Sequence, residues 1–368
     1  MRRIDQLDIV RAVLTHFHVD SDGSQLTLPD NGAVVLWIVD GFGLYHWRQS
    51  QTRGLMPTLF QTVSTVLEGW SVYPSTTSVG LASLAFAVPP NEHGALGYWI
   101  YLPEYKQPVN MLSSLDQDGH PVPPALIYPP RETIFTQLRR RSIQSSVVGP
   151  AVFQETPLTQ WLYHGAQYRP YGTPLDAILQ AGRALADGAR FVWLYWPYID
   201  SQAHLYGMQS PSTDHAISEL DAAFSQALHQ WKARGGVTLI ITADHGMIDL
   251  LPDKTVSRSD PALEELWAHT WAGERRAMTS ALDYRELQQE LGAVAAIHPQ
   301  EQCWDEGWYG GPPSRSSFRD RVLQSLVLAQ PGAQFEQNGV IDVPLMSAAH
   351  GGITPQERAI PIGMCTVQ

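Results

Sequence analysis

A chain of 368 residues, 44% hydrophobic and 16% charged, is long and apolar enough for a large α/β core, which excludes a disordered chain. Its net charge of −12 argues against a nucleic-acid polymer as partner, since no basic footprint exists, but suits carboxylates gathered around cations. Cys303 and Cys365 are too few for a disulfide scaffold, with one bridge between them as an alternative. No window of about 18 apolar residues suggests a membrane span. Asp5, Asp8 and Arg11 interrupt any leader-like apolar core, so the expectation is a soluble, cytoplasmic protein.

In chain order, residues 5–17 have the apolar spacing of an amphipathic helix, and turn-forming clusters follow at 21–25 and 29–32. Residues 33–39 (AVVLWIV) read as a strand buried on both faces of a parallel sheet, ending in Asp40-Gly41-Phe42-Gly43. A carboxylate at the carboxyl end of such a strand lies where α/β folds place their ligands, although a turn or cap would also explain a lone Asp. Residues 57–69 predict a helix opening at Pro57. Next come four hydroxyls, Ser75 to Ser78, at the start of a small and apolar helical run that ends before Pro89-Pro90. A Pro-rich stretch at 98–130 shows no period and reads as a surface excursion, with a lid over a site as its expected role. A helix is expected at 131–141 and a short strand at 145–148.

Residues 174–187 form a further helical pattern, and 191–196 (FVWLYW) a second buried strand leading to Asp200 and His204, four residues apart and on one face of a helical turn. Residues 211–233 predict the longest helix, capped by Ser212 or Thr213 and ended by Gly235-Gly236. A third buried strand at 237–242 runs into Asp244-His245, completing a βαβ unit with parallel pairing. From 251 to 343 the pattern weakens, with helical pieces at 260–269, 284–292 and 316–329 and a strand at 294–297, and reads as a second insertion forming a small cap. His350-Gly351-Gly352 and a last strand at 359–364 close the chain.

Neighbouring parallel strands have neighbouring carboxyl ends, so Asp40, Asp200 with His204, and Asp244-His245 can converge. With His350 and one hydroxyl, the set suits two divalent cations bound through oxygen and nitrogen, most naturally Zn2+, with Mn2+ as an alternative. Such a pair clamps the attacking and leaving oxygens of a phosphoryl displacement. The attacking hydroxyl is Thr77, at the helix start, or Thr76 beside it.

At this point the sequence resembles the alkaline phosphatase superfamily, and within it the nucleotide pyrophosphatase/phosphodiesterase branch. The matching pieces are VDGFG at 39–43, YPSTTS at 73–78, PPNEHG at 89–94, DSQAH at 200–204, TADHGM at 242–247 and HGG at 350–352. The resemblance implies a single α/β domain over 1–368, with a central mostly parallel sheet, helices on both faces, and insertions at about 98–130 and 251–343. It implies that Asp200, His204 and His350 hold one metal, and that Asp40, Thr77, Asp244 and His245 hold the other. The implied activity is hydrolysis of a small phosphorylated substrate, a phosphodiester, nucleotide pyrophosphate or phosphomonoester, through a covalent intermediate on Thr77. Two alternatives share the fold: a catalytically silent ligand-binding member, and a metal-dependent phosphate-transferring mutase.

Some positions depart from the pattern or fall outside it. Tyr98 stands where the diesterase branch carries an Asn that holds a phosphate oxygen, which puts diester preference in question. His93 matches a structural turn of the family and is not counted as a ligand. Arg275 and Arg276 read as surface charge, leaving no identified basic anchor for phosphate.

Overall fold

The computed structural model describes residues 3–19, 23–29, 32–63, 65–232, 236–336 and 346–367. A seven-stranded sheet forms its centre, with strands Ala33–Val39 (β1), Val66–Trp70 (β2), Ser145–Pro150 (β3), Gln167–Tyr171 (β4), Phe191–Trp196 (β5), Val237–Thr242 (β6) and Ala359–Val367 (β7). Their spatial order is β2-β7-β6-β1-β5-β3-β4. From β6 to β4 every pairing is parallel, while β7 runs antiparallel to both β6 and β2.

The continuous apolar runs follow from burial on both faces. In β1, Val34, Leu36 and Ile38 join one core cluster, whereas Val35, Trp37 and Val39 join the other. β5 splits in the same way, with Phe191, Trp193 and Tyr195 on the first side and Val192, Leu194 and Trp196 on the second. The first face is covered by helices at Gln6–His16, Thr77–Phe86, Ile134–Arg140 and Pro157–Leu162, and the second by Pro174–Ala186, Tyr198–Tyr206 and Pro211–Trp231.

The Pro211–Trp231 helix is capped by Ser210, whose hydroxyl accepts from the Thr213 amide, and not by Ser212 or Thr213. Pro211 fills the first helical position, so the cap falls one residue earlier. Gly235 lies outside the described residues, as do parts of the two turn clusters expected at 21–25 and 29–32.

Three local expectations are corrected. The helix expected over 57–69 stops at Thr62, and Val66–Trp70 is an edge strand, its register fixed by β7. The helical piece expected at 316–329 is a short helix, Ser316–Arg319, followed by the strand Ser325–Ala329. Residues 98–130 carry a hairpin, Trp99–Leu102 with Gln107–Asn110. This hairpin joins Trp271–Gly273, Ala277–Ser280, Ala295–Pro299 and Ser325–Ala329 in one six-stranded antiparallel sheet, so the two stretches expected as separate insertions build a single layer. Gly273 paired with Trp99 is the seam between them.

Among the described residues no helix is long and apolar enough to cross a membrane. Cys303 and Cys365 are both free thiols.

Candidate active site

β6, β1 and β5 are adjacent, and their registers bring Ile38 beside Thr242 and Val39 beside Trp196. Their carboxyl ends therefore deliver Asp40, the Asp200 helix and Asp244-His245 to one place. Gly41, at φ +68°, lets the chain turn there, and a Cβ on it would lie 2.9 Å from Asp200 Oδ1. Behind Asp244 stands the Thr77–Phe86 helix, apolar and buried almost all round, whose Gly80 approaches the Asp244 carbonyl so closely that a Cβ would sit 3.0 Å from it. The Ser71 hydroxyl donates to the Asp244 carbonyl, and the Ser75 hydroxyl donates to Gly352, tying the strand before Thr77 to both flanking loops.

All seven residues expected from the sequence meet here. Thr77 Oγ1 lies 3.2 Å from His245 Nε2, which in turn is 3.3 Å from Asp40 Oδ1 and 3.6 Å from Asp244 Oδ2. His204 Nε2 is 3.3 Å and His350 Nε2 3.9 Å from Asp200 Oδ1. The rings of His245 and His350 stack at 3.9 Å, which joins the two halves. Within this site two triplets are close enough to hold a metal ion, Asp40-Asp244-His245 and Asp200-His245-His350. His245 belongs to both, and His204 flanks the second through Asp200 and a 5.1 Å ring contact with His350.

The histidine tautomers follow from their outer partners. His204 Nδ1 is 2.9 Å from the Ala348 carbonyl, His245 Nδ1 3.0 Å from the Gly246 carbonyl, and His350 Nδ1 3.1 Å from the Ser75 carbonyl. A carbonyl cannot donate, so each Nδ1 carries a proton, and each ring turns its Nε2 inward, toward carboxylate oxygens. Imidazoles oriented through Nδ1 by backbone carbonyls, with Nε2 facing carboxylates, are the usual arrangement of metal-ligating histidines.

The carboxylates carry the same signature. Asp40 Oδ1, Asp200 Oδ1 and Asp244 Oδ2 are buried and have no hydrogen-bond partner among the described residues. Burial first, and then the charges of Asp244 and Asp200, push the Asp40 carboxyl well above the ordinary carboxylate range, and burial likewise raises Asp244. Burial, with His245 and His204 alongside, holds His350 well below the ordinary imidazole range and so uncharged. This donor set fits divalent cations, which would reverse the balance that now disfavours the charged forms of Asp40 and Asp244.

Sequence reasoning passed over several contributors. Tyr195 donates from its hydroxyl to Asp40 Oδ2, and its signal was a polar tip on the last inward position of β5. Glu357 is buried, accepts from the Gly352 amide, and pairs with Arg276 at 3.1 Å. The expected surface position of Arg275 and Arg276 is therefore wrong: they are 8% and 1% exposed, at a turn of the second sheet that lies against the His350 loop. Glu274 from the same turn packs on Gly351, where a Cβ would come within 2.7 Å of its own. His93 stands apart from the site, as expected: its Nδ1 accepts from the Ala95 amide, leaving Nε2–H to donate to Ser83, 2.8 Å away.

The family model of type I phosphodiesterase / nucleotide pyrophosphatase matches residues 34–339. Murine ectonucleotide pyrophosphatase / phosphodiesterase 5 superposes with a TM-score of 0.66 at 16% identity, covering 90% of this chain and 87% of its own. An inactive variant of that murine protein in complex with AMP, with a threonine replaced by alanine, gives 0.64 at 16%, with the same coverage of 90% and 87%. Phosphonoacetate hydrolase from Sinorhizobium meliloti 1021, in complex with phosphonoformate, gives 0.70 at 18% identity, covering 94% of this chain and 92% of its own. No curated protein sequence matches the chain. With the family model spanning most of its length, the chain belongs to the type I phosphodiesterase / nucleotide pyrophosphatase family, whose members hydrolyse phosphate esters with the help of metal ions.

Proposed function

We propose that this protein hydrolyses small phosphoric esters by nucleophilic attack from Thr77, at a site that holds two divalent cations, zinc in the first instance. The observation that carries the proposal is the inward aim of three Nε2 atoms, each ring held through Nδ1 by a backbone carbonyl, at three carboxylates with oxygens that have no hydrogen-bond partner among the described residues. Asp40, Thr77, Asp244 and His245 would hold one cation, and Asp200, His204 and His350 the other. Bound there, the cations would lower the pKa of the Thr77 hydroxyl and offset the charge that builds on the phosphoryl oxygens.

The chain's own residues supply the rest. Thr77 is the first residue of its helix, and Thr76 before it makes no side-chain cap; the Val79 and Gly80 amides donate to the Thr76 carbonyl, which leaves those of Thr77 and Ser78 to hold a phosphoryl oxygen. The Thr77 oxygen bonds to phosphorus as the ester oxygen departs; water then attacks the same phosphorus, breaking the Oγ–P bond and restoring the hydroxyl. Tyr195 fixes the orientation of Asp40 throughout.

The relatives support the reading. The murine variant captured with AMP is inactive and has lost a threonine, and the bacterial relative is solved with a phosphonate. A silent member of the fold would be expected to have shed some of these seven residues. The strands at 99–110 and 271–329 form one layer beside the site, which we read as a cap on a single α/β domain. The acidic balance and two free thiols suit a cytoplasmic enzyme.

The test is acid quenching during turnover of p-nitrophenyl phosphate and of bis- and thymidine-monophosphate p-nitrophenyl esters, followed by mass spectrometry of the peptide containing Thr76 and Thr77. The expected result is a phosphoryl or nucleotidyl group on Thr77 and a loss of at least about 10³-fold in rate for Thr77→Ala. Modification of Thr76 instead, or an active Thr77→Ala, would refute the assignment.

A further inference from the structure

The loop that carries His350 continues with Gly351 and Gly352, and a stretch of this composition has little of its own to hold a shape. Gly351 takes φ +108°, and a Cβ on Gly352 would lie 2.6 Å from Glu357 Oε2, so the neighbours fix its course. Ser75 grips it at two points. Its carbonyl accepts from His350 Nδ1, 3.1 Å away. Its hydroxyl donates to the Gly352 carbonyl at 2.7 Å, across 277 positions of chain. Glu357 accepts from the Gly352 amide, but of these two residues only Ser75 also holds the imidazole.

Ser75 is at the same time two residues from Thr77, with little freedom between them. Ser75, Thr76 and Ser78 are all buried. The Thr76 amide donates to the Pro74 carbonyl, and the Thr76 carbonyl accepts from the Val79 and Gly80 amides. The Ser78 hydroxyl donates to the Gly97 carbonyl, which anchors the far side of Thr77. A shift of the His350 loop is therefore passed to the Thr77 turn through two buried bonds to one serine. Neither bond is open to replacement by bulk water, and a buried carbonyl deprived of its donor has no ready substitute.

The two bonds also do different work. The carbonyl bond orients the ring, as outer partners of metal-ligating histidines do. The hydroxyl bond holds the backbone beyond the ring, so the loop cannot pivot about the first bond alone. Together they close a ring of contacts that includes His350, Gly352 and the turn leading to Thr77.

We propose that Ser75 is a positioning residue that links cation binding at Asp200, His204 and His350 to placement of the Thr77 hydroxyl. The inference rests on the two-cation hydrolase reading and deepens it. An imidazole fixed at Nε2 fixes the Ser75 carbonyl through Nδ1, and with it the turn that ends in the nucleophile. Because such coupling is reciprocal, a Thr77 turn held in place also favours the cation.

The test strips the protein with a chelator and measures zinc binding by calorimetry for the parent, Ser75→Ala and Asp200→Ala. Ser75→Ala should weaken one zinc step by about tenfold or more and leave the other within about threefold, the weakened step being the one missing from Asp200→Ala. At saturating zinc its kcat for bis-p-nitrophenyl phosphate should fall about tenfold with KM within about twofold, since a displaced nucleophile slows the chemical step more than binding. Ser75→Cys, close in size but a much weaker donor, should behave as the alanine variant does, and it replaces that variant if alanine prevents folding. A kcat or a zinc step pattern left at the parent's values in Ser75→Ala would overturn the link. So would equal weakening of both steps, or parent-like behaviour of Ser75→Cys, which would reduce the serine to a packing role. A parent protein that binds no zinc and turns over no ester would instead count against the hydrolase reading.

Discussion

His46 sits in the Leu44–Thr52 helix, 3% exposed, with its Nδ1 unpartnered among the described residues. Burial lowers its pKa to about 3, so the folded protein keeps this ring neutral in a range where the unfolded chain protonates it. Because the folded value is depressed, the stabilising effect is complete above the unfolded pKa of about 6.5 and is lost as pH falls toward 3. The limiting slope is about 1.4 kcal/mol per pH unit for one such group. His46→Phe should flatten the pH dependence of urea midpoints between about 6 and 4; an unchanged slope would show that His46 does not titrate on unfolding. At this scale the sequence was most informative, because chemistry-bearing side chains sit at strand ends in a fixed order. It was least informative for groups such as Tyr195, Glu274 and Glu357, whose importance comes from long-range partners. No local pattern distinguishes a buried Glu357, bound to Arg276 across 81 positions, from a solvated one.

Elements were legible wherever burial imposes a period. β1, β5 and β6 match their apolar runs residue for residue, because strands covered on both faces have no polar alternation to blur. The misreadings fell on elements fixed by partners. Residues 66–70 continue a plausible helical spacing, yet pair with β7, and tertiary pairing overrides a local pattern of that length. Ser325–Ala329 is likewise held between two other strands of the second sheet. Helix boundaries depend on caps, and Ser210 supplies a testable one. Ser210→Ala leaves the Thr213 amide without its acceptor and should lower stability by about 1 kcal/mol in urea unfolding. Ser212→Ala should have a smaller effect; the reverse order would place the cap where the sequence alone suggested.

For the whole molecule, the site lies where the central sheet meets the second sheet, and Glu357 links the two. It accepts from Gly352 beside His350, pairs with Arg276 of the second sheet, and its carbonyl receives the Gly246 amide beside His245. Glu357→Ala would strand the Arg276 charge in the interior, at a cost of about 3–5 kcal/mol, and should loosen both histidine loops. Urea unfolding with and without zinc checks this, since the variant should lose metal affinity together with stability. A variant as stable as the parent would show that the Arg276 pair is dispensable. The joining of residues 99–110 and 271–329 in one sheet could not be read from sequence, because the short, irregular strands share no pattern across the more than 150 positions between them.

As proposed, the seven converging residues form a two-cation centre for phosphoester hydrolysis. The most direct measurement strips the protein with a chelator and then titrates zinc while following both bound metal and hydrolysis of p-nitrophenyl esters. The expected result is no turnover in the stripped protein, recovery complete at two equivalents, and a lower stoichiometry for Asp200→Ala. Full activity without metal, or no turnover of any ester with zinc or manganese bound, would contradict it.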